Sequence, residues 1–361
     1  MVEIARVISQ KSQLVIMDEP NSALTDRETE VLFDILRRMK EQGITVIYIS
    51  HRLEEVFTIA DRISVIRDGR YVGTRHIGET DIPTTISDMT GRTLSDIFPE
   101  RDPIPADAET VLQVRGLSHK TKLDSLDFDV HAGEIVGFAG LEGCGKEEVF
   151  KMLFGISRRE GGEILYKDQM VAANHPLQAI DLGWAMIPAN RREEGIMLEW
   201  SILDNTVLPI LDELVSTVTF VDQKKSKGIV HDLVDQLNVV TDTIFKRVGN
   251  LSGGNQQKVV LAKWLATKPQ LLMLNDPARG VDVSRKAEIY SLVDDLADRG
   301  MAILHTSPEL DEVMGLCDRI IVLYKGRKVY ECQRNEATKE ELLQYINGGS
   351  IHHEEQLETL N

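Results

Sequence analysis

Basic residues are in short supply. Lysine and arginine number 41 against 58 aspartates and glutamates, a formal net charge of −17. Nucleic-acid phosphates are gripped by clustered cations, so this balance argues against nucleic acid as the main partner. Cysteine is sparse too. Cys144, Cys317 and Cys332 stand in no paired or zinc-binding spacing, which points to a reducing compartment. No stretch approaches the roughly 18 to 20 apolar residues of a membrane-crossing helix. The opening MVEIARVISQKSQ lacks the apolar segment of a secretory signal. The expectation is a chain that stays in solution or is held at a membrane by a partner. The 361 residues, 42% of them apolar, suffice for two domains and a sizeable core.

The chain repeats itself. LVIMDEPNSALTD, from Leu14 to Asp26, has the same build as LLMLNDPARGVDV, from Leu271 to Val283. Asp18 aligns with Asn275, Ser50 with Ser307, Asp61 with Asp318 and Gly69 with Gly326, always 257 residues apart. Two copies of one α/β unit are therefore expected. Met1 aligns with Lys258, just after LSGGNQQ (Leu251–Gln257). The first copy thus starts after its own version of that motif, while the second has a further stretch upstream from about Val111. The expected organisation is a carboxyl-terminal remnant of a first domain over 1–75, a linker over 76–110, a second domain over 111–349 and a polar tail over 350–361.

Local patterns agree. QLVIMD and ITVIYIS are apolar runs of buried-strand length, and RETEVLFDILRRMKEQG is an amphipathic helix ended by Gly43. Val2 to Ser9 reads as the end of a helix. RISVIRDGRYVG reads as a hairpin turning at Asp68-Gly69. Buried strands alternating with helices imply an α/β fold with a largely parallel sheet covered on both faces.

Two motifs carry phosphate chemistry. In GEIVGFAGLEGCGKEEVF a strand runs into a glycine loop and then a helix, and Gly140, Gly145 and Lys146 satisfy G-x-x-x-x-G-K. Glycines let backbone N–H groups and a helix amino end wrap a phosphate, and the lysine reaches the outer phosphates. Gly143 and Cys144 complete the loop. Glu147 stands where such loops carry a hydroxyl residue for Mg²⁺, and it is also placed to pair with Lys146. In LSGGN (Leu251, Ser252, Gly253, Gly254, Asn255) the serine is expected to cap the following helix, and the glycines allow close approach of a ligand.

A P-loop, then LSGGNQQ, then an apolar strand with an acidic end resembles the nucleotide-binding domain of ABC transporters. MDEPNSALTDRE, YISHRLEEVFTIADRISVIRDG and GEIVGFAGLEGCGK resemble, more narrowly, the tandem ATP-binding subunit of bacterial monosaccharide importers of the ribose, galactose and arabinose type. The resemblance implies a P-loop NTPase fold of ABC-ATPase type, with ATP and Mg²⁺ as cofactors. Each ATP would lie between the P-loop of one domain and the LSGG helix of another. It also implies a membrane permease as partner, a sugar-binding protein acting indirectly, a second nucleotide-binding domain, and a place at the cytoplasmic face of the membrane.

By the same resemblance, Asp18 assists Mg²⁺, Glu19 orients the attacking water and His51 meets the γ-phosphate. In the second copy Asn275 has lost the metal-assisting carboxylate, Asp276 replaces the glutamate with a shorter side chain, and Pro308 takes the histidine position. His305 is expected to be a packed strand residue. IPANRREEGI, from Ile187, occupies the phosphate-sensing loop without its usual acidic residues. His119 is the one ring near the expected adenine position.

Two readings follow. One is an energy-coupling ATPase component of a sugar importer, poorly active alone. The other is a non-catalytic truncated or split product that at most binds nucleotide and exposes apolar surface on its half unit. A soluble ATPase acting on ribosomes or DNA fits less well, because the charge has the wrong sign for RNA.

Overall fold

The run LVIMD forms strand β1 (Leu14–Asp18) and TVIYI forms β2 (Thr45–Ile49). They pair in parallel, with Leu14 opposite Thr45 and Asp18 opposite Ile49. The helix Asp26–Glu41 places Leu32, Phe33, Leu36 and Met39 on one apolar stripe, and this stripe buries Val15 and Met17. A short helix Leu53–Ile59 leads to the expected hairpin, β3 (Arg62–Arg67) against β4 (Arg70–His76). The helix Ile82–Thr90 follows. Asp81 caps it by accepting from the Thr84 N–H at 2.8 Å, and left-handed Gly91 stops it.

In this computed structural model the described residues are 12–21, 26–50, 52–67, 69–91, 98–215, 220–281 and 283–349. The expected helix end at Val2–Ser9, His51 and the tail from Ser350 lie outside them. The chain divides into two units, Met1–Ile97 with Asp282–Ser284, and Phe98–Val281 with Arg285–Asn361.

Unit 2 opens with β5 (Thr110–His119) and β6 (Leu123–His131), then β7 (Ile135–Ala139), β8 (Gly161–Tyr166) and β9 (Gln169–Met170). Strands β6-β5-β8-β9 make an antiparallel sheet. Strand β7 instead joins β10 (Trp184–Ile187), β11 (Leu271–Asn275), β12 (Ala302–Thr306), β13 (Arg319–Tyr324) and β14 (Arg327–Gln333). Their order is β10-β11-β12-β7-β13-β14, parallel except for the last hairpin. Strands β7, β10, β11 and β12 are buried throughout, which is why their sequences are apolar without alternation.

The repeat is structural. Leu271 lies opposite Ala302 as Leu14 lies opposite Thr45. The hairpins pair Arg62 with His76 and Arg319 with Gln333, and the register slips at Val65/Ile66 and again at Val322/Leu323. Gly91 has its twin in Gly348, after the helix Lys339–Ile346. The repeat therefore runs into the segment read as linker. The far end of that segment is anchored in unit 2. The Phe98 ring stacks on Tyr290 at 5.2 Å, and Arg101 reaches Asp318 at 2.9 Å, Asp294 at 2.5 Å and the Gly133 carbonyl at 2.8 Å.

The units differ in burial. In unit 1 one face of β1 and β2 carries Leu14, Ile16, Ile47 and Ile49, which are 52%, 63%, 46% and 47% exposed. Their twins Leu271, Met273 and Leu304 are fully buried, and Thr306 nearly so.

Candidate functional site

Strand β7 ends at Ala139 and the chain turns through Gly140 to Gly145 into the helix Lys146–Leu153. The turn demands glycine. Gly145 has φ +108, and a Cβ there would lie 2.5 Å from the Lys122 carbonyl oxygen. A Cβ on Gly140 would lie 2.5 Å from the Leu323 carbonyl oxygen. Gly143, also left-handed, faces open space. Lys146 is buried and donates to the Gly140 carbonyl at 2.7 Å. This bond, not the expected pairing with Glu147, fixes its ammonium over the loop. A hollow of about 60 Å³ opens here, lined by Lys122, Gly143, Gly145, Lys146, Glu147, Glu148 and Lys151. Lys122 also bonds Glu148 at 3.0 Å. Burial raises the pKa of the Cys144 thiol and keeps it protonated. Three lysines against two glutamates, around a glycine turn at a helix start, leave a small positive excess in a hollow of phosphate size.

The carboxyl ends of β11 and β12 lie beside that of β7. The Thr306 hydroxyl donates to the Phe138 carbonyl at 3.1 Å, and the Asp276 N–H to the Thr306 carbonyl at 2.7 Å. The sheet thus brings the P-loop and the Asn275-Asp276 pair to one edge, where ligands of open α/β sheets bind. Asp276 is left-handed, with φ +49. Burial and then Glu312 push its carboxyl up to about 7. Next to it lies a network that sequence reasoning missed. Lys286 bonds Glu309 at 2.7 and 2.8 Å and Glu312 at 2.6 Å, and Glu312 also accepts from the Ser307 hydroxyl at 2.6 Å. His305 is fully buried, as expected, and burial lowers its pKa to about 4.

LSGGN starts the helix Gly253–Leu265, which packs on the helix Ile202–Val207 and on edge strand β10. Ser252 occupies the cap position, but its hydroxyl makes no capping bond. It accepts instead from Arg285 Nη1 at 2.8 Å and from Asn255 Nδ2 at 3.1 Å. A charged donor outcompetes a backbone amide, which corrects the expected cap. Gly253 and Gly254 leave room for two guanidinium groups. A Cβ on them would lie 2.7 Å from Arg191 Nη2 and 2.8 Å from Arg285 Cδ. Arg191, in the loop after β10, also donates to the carbonyls of Arg279 and Gly280. Leu251 is buried beneath.

In unit 1, Asp18 ends β1 and Glu19 follows at φ +44, both exposed. The Glu19 N–H donates to the Ile49 carbonyl at 2.9 Å, just as Asp276 does to Thr306. Glu55, the twin of Glu312, accepts from Asn21 at 2.8 Å, Tyr48 at 3.0 Å and Arg52 at 2.6 Å. His51 lies outside the described residues. His119 ends β5 with Nε2 3.9 Å from Glu148.

A family model described as ABC transporter matches residues 123–279. Over 349 residues the chain is 42% identical to the ribose import ATP-binding protein RbsA of Bacillus licheniformis, covering 97% of this chain and 70% of that one. The chain belongs to the ATP-binding proteins of ABC transporters. The protein of the same name from Oceanobacillus iheyensis is 42% identical over 352 residues, covering 98% of this chain and 70% of its own. Two solved ABC transporter components share the fold. The ADP conformation of MJ1267, an ATP-binding cassette, has a TM-score of 0.56 at 18% identity over 66% of this chain and 95% of its own. CbiO1 of Clostridium perfringens has a TM-score of 0.55 at 19% identity over 69% and 99%.

ABC ATP-binding proteins take ATP with Mg²⁺, and the residues can be tested against both. The P-loop hollow, with its three lysines, fits nucleotide phosphates. For Mg²⁺ the two strand ends differ. Asp18 and Glu19 provide two exposed carboxylates, the oxygen chemistry a hard cation wants. At the unit-2 site the strand end offers the amide of Asn275, and Glu147 stands in place of a hydroxyl, so the fit is poor. Among the described residues no acidic, histidine or cysteine cluster could hold a metal ion on its own.

Proposed function

We propose that this chain is the energy-coupling ATP-binding component of a sugar importer, ribose being the sugar that its relatives' name carries. The observation that carries this reading is the 42% identity, over nearly the whole chain, to a ribose import ATP-binding protein, joined to a P-loop with a phosphate-sized hollow lined by three lysines and two glutamates. Its place would be the cytoplasmic face of the membrane, against a permease and indirectly a sugar-binding protein. No helix among the described residues is long and apolar enough to cross a membrane, so docking would rest on the partner.

In this reading Gly140, Gly143, Cys144, Gly145 and Lys146 hold nucleotide phosphates in unit 2, with Glu147 at the rim. Asp18 assists Mg²⁺, while Glu19 and His51 serve hydrolysis. Asp276 lines a site that binds more than it turns over. Leu251, Ser252, Gly253, Gly254 and Asn255 serve the nucleotide of an opposing domain. Mg²⁺, when bound, would offset phosphate charge. The 361 residues hold one G-x-x-x-x-G-K, so the Asp18-Glu19 pair needs a second P-loop to form a complete hydrolytic site. The exposed apolar face of β1 and β2 favours a second reading, a chain that binds nucleotide without turnover.

Binding of ATP by the full chain, and its loss in Lys146→Ala, tests the nucleotide assignment; equal binding by the variant would overturn it. Purified alone, the chain should release little phosphate. Steady release above that of a Glu19→Gln control would remove the expectation of low activity.

A further inference from the structure

The charges that line the P-loop hollow fall into three sets. Lys122 donates to Glu148 at 3.0 Å, and that glutamate is 4% exposed, so this pair cancels. Lys146 donates at 2.7 Å to a neutral acceptor, the Gly140 carbonyl, and keeps its full charge for a ligand. Glu147 and Lys151 line the same hollow and make no ion pair among the described residues. Glu147 is exposed, and so is Glu142 in the same turn. The Cys144 thiol, buried inside the turn, senses both neighbours: Lys146 lowers its pKa and Glu147 raises it. The Glu147 carboxylate therefore acts on the phosphate-binding turn itself.

The residue after a P-loop lysine is the one whose hydroxyl meets Mg²⁺, and that ion bridges the outer phosphates. A carboxylate at this position therefore faces the outer end of a bound nucleotide. Mg²⁺ is ordinarily held by one or two carboxylates together with the phosphates. Here the strand end offers the Asn275 amide instead, and it is buried. A triphosphate brings more negative charge than a diphosphate, and brings it at that outer end. With so small a positive excess in the hollow and a poor fit for metal, the added charge meets Glu147 with little to offset it.

We infer that Glu147 is a specificity-determining residue of the unit-2 site, one that makes this P-loop select a nucleoside diphosphate over the triphosphate. This rests on the reading of the P-loop as a nucleotide site.

The test uses the full chain, freed of nucleotide. A fluorescent ADP analogue is titrated first, then displaced by unlabelled ADP and by unlabelled ATP, in chelator and in Mg²⁺. In chelator ADP should bind about tenfold tighter than ATP, a difference of about 1.4 kcal/mol, and it should remain the tighter ligand in Mg²⁺. Glu147→Gln keeps the shape and removes the charge, and should bring the two within about threefold in chelator. Glu147→Thr with Asn275→Asp, the first-copy residue at that strand end, should favour ATP in Mg²⁺. Wild type that binds ATP as tightly as ADP in chelator, or more tightly in Mg²⁺, would overturn the inference whether or not the variants fold, and would leave the P-loop reading standing. A folded Glu147→Gln that keeps the tenfold preference would also overturn it. If wild type binds neither nucleotide, the P-loop reading and the inference fall together.

Discussion

Glu55 and Glu312 occupy one place in two copies of the same motif, 257 residues apart, and are held by different company. Glu55 accepts from an amide, a phenol and a half-exposed guanidinium, whereas Glu312 faces a buried ammonium and a buried hydroxyl. Removing the Glu312 charge breaks the most buried contact of Lys286 and leaves its ammonium to the more exposed Glu309. Glu312→Gln should therefore cost about 2 kcal/mol of stability, the loss of one charged hydrogen bond, and Glu55→Gln about 1 kcal/mol, since neutral donors tolerate an amide oxygen. Urea unfolding of each variant against wild type measures the difference.

Gly145 should tolerate no side chain. Its φ is +108, and a methyl group there would meet the Lys122 carbonyl oxygen at 2.5 Å, so neither backbone nor space allows one. Gly145→Ala is expected to lower stability by about 1 to 3 kcal/mol and to abolish nucleotide binding. Gly143→Ala meets nothing within 4 Å and suffers only from its φ of +78, so it should keep part of the binding. Titration of a fluorescent nucleotide separates the two.

Arg101 should behave as a structural rivet. Its guanidinium is 5% exposed and joins Asp318, Asp294 and the Gly133 carbonyl. Arg101→Ala strands these acids and is expected to cost about 3 to 5 kcal/mol, read as a fall in the melting temperature of unit 2. Arg101→Lys supplies the charge without the fork and should recover part of the loss.

Asp276 sets a pH dependence. Its folded pKa is raised from the ordinary 3.8 to about 7. The unfolded chain gives up this proton near pH 4, whereas the folded chain keeps it until about 7. The folded state thus holds more protons across that window, and the contribution of Asp276 to stability is lost as pH rises through it. Asp276→Asn should flatten the change between pH 5 and pH 8 and melt higher at pH 8, by about 1 to 2 kcal/mol. Unfolding curves at the two pH values would show parallel behaviour of variant and wild type if Asp276 were normally acidic.

Much of this fold is legible in the chain because its signals are local. Parallel strands buried on both faces write themselves as unbroken apolar runs, as in LLMLN and AILHT. The 257-residue offset shows because both copies keep the strand, the acidic turn and the hairpin without a gap. The repeat beyond Gly69 is harder to see. IPTTISDMT and KEELLQYI share little except a helix, a cap and the following glycine. The Lys286 network is illegible for another reason. Its members come from the helix Val283–Asp298, from the end of β12 and from the helix Leu310–Leu316 with the residue before it, and no spacing within any one of them announces the others. Aligning Glu312 with Glu55 and Lys286 with Thr29 would have flagged both positions. The capping role expected of Ser252 fails because Arg285, more than thirty residues on, offers a stronger donor than the neighbouring amides.

The half-exposed row of Leu14, Ile16, Ile47 and Ile49 makes unit 1 the more adhesive of the two units. Each such half-exposed aliphatic side chain gains about 1 kcal/mol when the rest of it leaves water, so concentrating the protein should bring these rows together before anything else unfolds. Shelf life is then governed by four residues far along the chain from the P-loop. Sulfate should shorten it and a mild detergent should lengthen it.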